Sequence, residues 1–431
     1  AFSDSDTTGV VSIYSAEDTT WGNPITGLTN NSSGTGQRKD VFYSADGALR
    51  VCDSDFGNSN SNKWYGYINN RTHFNGIAPG RSADTYDTWH LANAEIAAPT
   101  QGVAYPIIGT ADSGLNSTTL TDTTSGNAFL SAEVGHIALD HTDGKVSTIQ
   151  SFTDADTVVT SAVTDWSGNN FAIFPPAGTG FNIHVPLVTS SGSSGTWPTG
   201  TYEFAVSFIY DAEPGELAGQ ESPLRVQDGQ MAMTLGHTFG IYVFCTSPFN
   251  ARITGGRVYT RIQNTGNDWA LITEISLNQG IRRQTTDVYR QTWAIWNTTD
   301  NDTNVHLYAA HTLSTIGVLT YNINTSMNQD ETTSTAKYKT AVVANRIAYI
   351  GNVQFDGVIF GDSILQSPPG RFDMFSKNRE LAASISDGDS IVKLEEYADR
   401  ILQFKKRKMH LINISQEIEF LEDTFLHKGV S

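Results

Sequence analysis

The chain has 431 residues, a net charge of -18, 39% hydrophobic and 17% charged residues. The acidic balance excludes binding to nucleic acid through a broad basic surface, because phosphate binding needs clustered positive charge. The length is that of two to three domains, or of one large all-β domain with insertions.

The opening "AFSDSDTTGV" has no basic stretch and no apolar core, so it does not read as a signal peptide. A cleaved leader is left open. No apolar run of about 18 residues occurs, and no membrane span is expected. Glycine is frequent, with 38 copies, and β-branched and turn-forming residues abound, which favours many short strands over long helices.

"KDVFYSADGALRVCDSDF", from Lys39 to Phe56, reads as a hairpin. Asp46-Gly47 sits between two apolar runs, and both turn positions tolerate positive φ. An aromatic strand follows at Trp64 to Ile68. From about Leu115 to Ile173 short strands alternate with Asp143-Gly144 and Ser167-Gly168, the texture of a small β-barrel inserted into something larger. "TSSGSSGTWPTG", Thr189 to Gly200, is a low-complexity connector.

Beyond it, Tyr202, Phe204, Val206 and Phe208 share one face of a strand of period two. Val258, Thr260 and Ile262 alternate before a turn at Gly266, and Trp269, Leu271 and Ile275 return. This is the pattern of a fibronectin type III-like sandwich.

The last hundred residues contain a near-repeat. "AVVANRIAYIGNVQFDGVIFGDS" reads strand, Asn345-Arg346 turn, strand, Asp356-Gly357 turn, strand. "LEEYADRILQFKKRKMHLINIS" reads the same way, with Asp399-Arg400 in the place of the first turn. A meander recurring at roughly 50 residues is what propeller blades produce. The Asp46-Gly47 hairpin is a third, diverged copy.

Lys405, Lys406, Arg407 and Lys408 fall between Leu402/Phe404 and Met409/Leu411/Ile414, at an expected hairpin tip. Solvated charges guarding a sheet edge are the plain reading. Contact with a subunit, a partner or DNA phosphate is the functional one. Charge is uneven: residues 331–431 carry 13 Lys+Arg against 14 Asp+Glu, which leaves 14 against 31 for the rest.

Chemical motifs are scarce. There is no G-x-S-x-G, H-E-x-x-H, P-loop or dinucleotide fingerprint. His136/His141 and His306/His311 are spaced five apart, which matches no common metal motif. Cys52 and Cys245 read as buried free thiols. Glu395 and Glu396 are adjacent on a strand and so face opposite ways. "SDGDS", Ser386 to Ser390, offers oxygens for calcium but lacks the closing Glu, and reads as a turn. Trp64, Tyr65 and Tyr67 suit either sugar stacking or core packing. No catalytic residue, metal or cofactor is expected.

"YSADGALRVCDSDFGNSNSNKWYGYI", "KTAVVANRIAYIGNV" and "DGDSIVKLEEYADRILQFKKRKMHLINISQEIEFLEDTF" resemble structural proteins of marine short-tailed phages, closest to the tail nozzle, or tail tubular protein B-like, β-propeller component. The resemblance covers Asp40–Thr72 and Lys337–Phe425 best. It implies a non-enzymatic virion protein, with about six copies around the tail channel. An adaptor protein would lie above it and tail fibres at its flank. DNA would pass through without sequence-specific binding during genome ejection. The expected fold is all-β: an interrupted β-propeller with an inserted small β-barrel and a fibronectin type III-like sandwich. Expected boundaries are 1–110 for the first propeller part, 111–180 for the barrel, 181–292 for the sandwich and 293–431 for further blades. Under this reading Lys405 to Lys408 meet a neighbouring subunit's acidic surface. The alternatives are a secreted carbohydrate-binding or adhesion protein, and a propeller glycosidase with carboxylates gathered on its axis.

Overall fold

The computed structural model describes residues 2–5, 8–15, 20–29, 41–52, 62–68, 88–99, 107–112, 117–124, 129–140, 145–174, 180–184, 197–212, 219–227, 231–233, 239–246, 250–277, 279–283, 293, 305–311, 319–321, 336–381, 383, 388–416 and 419–429. The architecture is all-β, with single 3-10 turns at Ser131–Glu133 and Lys377–Arg379 among the described residues.

Three four-stranded antiparallel meanders form the frame. The first runs Val41–Ala45, Ala48–Cys52, Lys63–Ile68 and Thr88–Asn93. The second runs Ala336–Ala344, Ile347–Phe355, Val358–Gln366 and Glu380–Leu381. The third runs Ile391–Tyr397, Arg400–Lys405, Lys408–Asn413 and Phe420–Leu426. Two-residue turns open the first two, Asp46-Gly47 and Asn345-Arg346, and all four residues take the positive φ that such hairpins require. In the third the turn falls one residue earlier than expected. Tyr397 pairs with Arg400, so Ala398 and Asp399 make the turn, and Ala398 takes the positive φ.

The meanders stack face to face with their first strands side by side. Tyr43, Ala45 and Cys52 share a core with Ala336, Tyr338, Ile350 and Phe355. The opposite face of the second meander, through Ala344, Tyr349 and Ile364, packs on Leu394, Ile401 and Ile412 of the third.

The two seams use the same hydrogen-bond chemistry. At each, a side-chain amide donates to the first carbonyl of the next first strand: Asn62 to Ala336 O at 2.8 Å, and Asn352 to Ile391 O at 2.9 Å. A little further on, a side chain accepts a backbone N–H of that strand. Cys52 Sγ takes Tyr338 N–H at 3.4 Å, and Thr340 Oγ1 takes Leu394 N–H at 2.8 Å. The offset grows from two residues to three because a bulge lies between Ile391 and Lys393.

Two inserts separate the first and second meanders. One is a six-stranded sheet that curls into a half-barrel, from Ile107–Thr110 to Ser117–Thr121 at its two ends. Phe129, Trp166 and Phe171 fill its inside. The sequence leads one to expect a closed barrel; among the described residues its end strands do not pair, and their ends meet through Asp112 N–H to Thr121 O at 2.8 Å. Asp143-Gly144 lies outside the described residues; Ser167-Gly168 forms its turn, with Gly168 at positive φ.

The other insert sets a three-stranded sheet, Gly180–His184, Phe239–Thr246 and Val305–His311, over a larger one centred on Gly200–Tyr210 and Ile253–Ile262. Tyr202, Phe204, Val206 and Phe208 all point into the shared core, with Ile183 and Ile241 opposite. The expected edge at 292 therefore falls inside this unit, whose third strand ends at His311. Tyr321 N–H, bonded to Trp269 O at 2.9 Å, extends it further. A separate three-stranded sheet comprises Phe2–Ser5, Thr8–Ser15 and Thr20–Thr29.

Thr340→Val keeps the shape of the second seam but leaves the buried Leu394 N–H without an acceptor. The expected cost is about 1–3 kcal/mol in chemical denaturation, with faster hydrogen exchange at Leu394. An unchanged midpoint and unchanged exchange would show that this bond does not hold the seam.

Candidate functional site

The basic turn is built by the third meander's middle hairpin. Strand alternation puts Ile401, Gln403 and Lys405 on one side, toward the second meander, and all three are buried. Lys405 thus departs from the expectation of a solvated tip: it is 0% exposed, and only its neighbours reach solvent. Lys406 and Arg407 form the exposed turn, and Lys408, half-exposed, starts the next strand. The turn is held rigidly. Asp389 accepts the N–H groups of Lys406 at 3.2 Å and Arg407 at 2.9 Å, and His427 N–H bonds Arg407 O at 3.0 Å. Asp389, considered above as a calcium ligand, spends both carboxylate oxygens on these bonds. Asp387 lies outside the described residues.

The most concentrated electrostatics lie elsewhere, at a junction absent from the sequence expectations. Asp373, in the loop that follows Val358–Gln366, receives Arg50 Nε at 2.8 Å and Arg50 Nη2 at 3.0 Å. Arg252 Nη2 reaches the same carboxylate at 2.7 Å and Asp211 at 2.6 Å. Gln220 closes the ring: its amide donates to Asp373 at 3.1 Å, and its carbonyl accepts Asp373 N–H at 2.8 Å. Arg50, Arg252 and Asp373 are buried. The Arg252 guanidinium also lies 4.6 Å from the centre of the Trp64 ring. Burial alone would raise the Asp373 pKa; Arg50 and Arg252 overcome it and hold the carboxyl well below the usual range. For Arg50, burial pulls the other way, and Asp373 raises its pKa regardless. The members come from the first meander, the second meander and the larger sandwich sheet.

That sandwich sheet carries a second buried ladder. Glu221 accepts Arg257, Ser207 Oγ at 2.5 Å and Tyr259 Oη at 2.6 Å, and Arg282 Nε bonds Glu274 at 2.7 Å. Both carboxylates are 0% exposed, so they are structural partners rather than groups presented to a substrate.

The remaining candidates are dispersed. Glu395 and Glu396 are exposed on opposite faces. His136 is half-buried, with its pKa lowered by burial. His141 and the side chains of His306, His311 and Cys245 lie outside the described part. Cys52 is a buried free thiol. Trp64 is buried, while Tyr67 is exposed. Among the described residues no cluster of three or more His, Cys, Asp or Glu is arranged to hold a metal, and no helix is long and apolar enough to cross a membrane. No protein-family model matches the chain, and no curated protein matches it.

Asp373→Asn strands two buried guanidinium groups and is expected to cost about 3–5 kcal/mol in denaturation at neutral pH. Because the folded pKa is depressed, this contribution is present above the unfolded value of about 3.9 and is lost as pH falls toward the folded one. The gap between wild type and variant should therefore narrow below about pH 4. A gap independent of pH would mean that the carboxylate's charge is not what matters. In the turn, Lys406→Ser and Arg407→Ser should each change stability by less than about 0.5 kcal/mol. Lys405→Ser removes a buried side chain and should cost more than either in thermal melts; equal effects would contradict its burial.

Proposed function

We propose that this chain is a structural virion protein of a phage tail, part of the tail nozzle through which DNA leaves. The observation that carries this reading is the stack of three four-stranded meanders, docked face to face with their first strands adjacent. Such a stack is the arrangement of propeller blades. It supports an interrupted β-propeller, with a curled half-barrel and a fibronectin type III-like sandwich spliced between its first and second blades. The buried ion pairs serve architecture, which suits a mechanical part better than a catalyst. A net charge of -18 gives a wall along which a polyanion slides without sticking. In this reading about six copies encircle the channel beneath an adaptor protein, tail fibres attach at the flank, and the exposed Lys406–Arg407 turn meets a neighbouring subunit.

The glycan-binding alternative draws on Trp64, Tyr65 and Tyr67. With Trp64 buried beneath Arg252, that platform is reduced to the two tyrosines, and the structural reading is preferred. Electron microscopy of the chain mixed with the adaptor from the same virion tests the proposal. The expected particle is a closed ring of about six copies seated on the adaptor. A chain that remains monomeric with the adaptor present, and binds glycans on an array, would overturn it.

A further inference from the structure

Asn62 has one hydrogen-bonding atom that the seam between the first and second meanders does not use. Its Nδ2 donates to Ala336 O at 2.8 Å, and this fixes the orientation of the amide, since a carbonyl accepts and cannot donate. Oδ1 is buried, and no donor among the described residues reaches it; the residue as a whole is 7% exposed. A buried acceptor is costly to leave unmet, and folded proteins meet such groups with a protein donor or an ordered water. Asn62 also lines a cavity between the two meanders, whose other polar walls are Tyr43, Tyr338, Glu95 and Asp373. The cavity leaves about 10 Å³ for the centre of a water-sized sphere, which admits about one water molecule. Glu95, half-buried, is the one wall residue that is not buried, so the way in from solvent runs past it.

We propose that this cavity is a binding site for one structural water, which donates a hydrogen bond to Asn62 Oδ1. The walls select the occupant. Asn62 Oδ1 and the carboxylate oxygens of Asp373 and Glu95 are acceptors, and the Tyr43 hydroxyl gives its hydrogen to Phe372 O at 2.8 Å. The occupant must therefore bring hydrogens of its own, and water brings two. A metal cation of similar size is disfavoured. The Asp373 carboxylate already takes four N–H donors, two from Arg50 and one each from Arg252 and Gln220. A further positive charge would lie near two guanidinium groups in a poorly solvated place. A polar cavity of this size with several polar walls is the usual setting of a buried water. Asn62 belongs to the first seam and Asp373 to the junction, so a water that both of them wall in joins the two into one polar network. The site is independent of the tail reading.

A high-resolution crystal structure of the full chain tests this directly. A water peak about 2.5–3.0 Å from Asn62 Oδ1 is expected. No peak there, a protein donor on Oδ1, or a peak with the close and numerous oxygen contacts of a metal ion would overturn the proposal. In solution, the sign of a cavity-filling substitution reads the same property. Ala94 is an apolar wall of the cavity, and Ala94→Val adds two methyl groups there. Methyl groups that fill a dry cavity stabilise. Here they displace a water and leave Oδ1 unmet, so the folding equilibrium constant should fall about ten-fold in chemical denaturation. Overpacking alone would also lower it, so the substitution is repeated together with Asn62→Leu, where no orphan acceptor remains. Most of the loss should then vanish. A gain from Ala94→Val alone, or an equal loss with and without Asn62→Leu, would count against the water. Should a variant fail to fold, the wild-type structure decides alone.

Discussion

One carboxylate, that of Asp373, joins parts of the chain that are remote in sequence. Arg50 and Arg252 are both withdrawn from water, and neither would tolerate burial without an anion beside it. Asp373 answers both, Asp211 answers Arg252 a second time, and Gln220 fixes the carboxylate through its side-chain amide and the backbone. The geometry permits one relative placement of the first meander, the sandwich and the loop of the second meander. Apolar packing tolerates small slips; a two-pronged guanidinium on a carboxylate does not. The junction thus supplies orientation where the cores supply most of the binding.

The position of this junction makes sense of the interrupted layout. The chain leaves the first meander at Asn93 and begins the second at Ala336. Arg252, contributed by the insert, bonds the Asn93 carbonyl at 3.1 Å as well as Asp373. The insert is therefore clamped at its exit and to the sheet it returns to. The segment after Asn93 is also drawn in: Ile96 lies in the sandwich core, and Tyr210 Oη bonds Ala97 O at 2.9 Å.

What is legible in the sequence is local. Asp46-Gly47 and Asp356-Gly357 announce turns because their residue types tolerate positive φ, and the period-two face from Tyr202 to Phe208 announces a buried strand. Ala398 carries no such mark, so the third meander's turn lies one residue before the place the sequence suggests. Lys405 departs from expectation for a related reason: a strand that ends one residue later, at Lys405, turns a tip residue into an inward-facing one. The open seam of the half-barrel and the reach of the sandwich past residue 292, through His311 to Tyr321, depend on pairings with distant strands. The junction is invisible in the sequence because Asp373 lies 323 residues from Arg50 and 121 from Arg252. The letters of "ALRVC" and "ARITGGR" show neither that Arg50 and Arg252 are buried nor which carboxylate they meet.

The seams between meanders have a consequence for how freely such a sheet can change. Asn62 and Asn352 address a carbonyl, while Cys52 and Thr340 address an amide N–H; every one of these groups on the receiving strand belongs to the main chain. The receiving strand is recognised by its path rather than by its letters. These four bonds constrain only its main chain, and the choice of side chain is left to the cores that Ala336, Tyr338, Ile391 and Leu394 enter; two sheets can dock alike through these bonds without spelling alike.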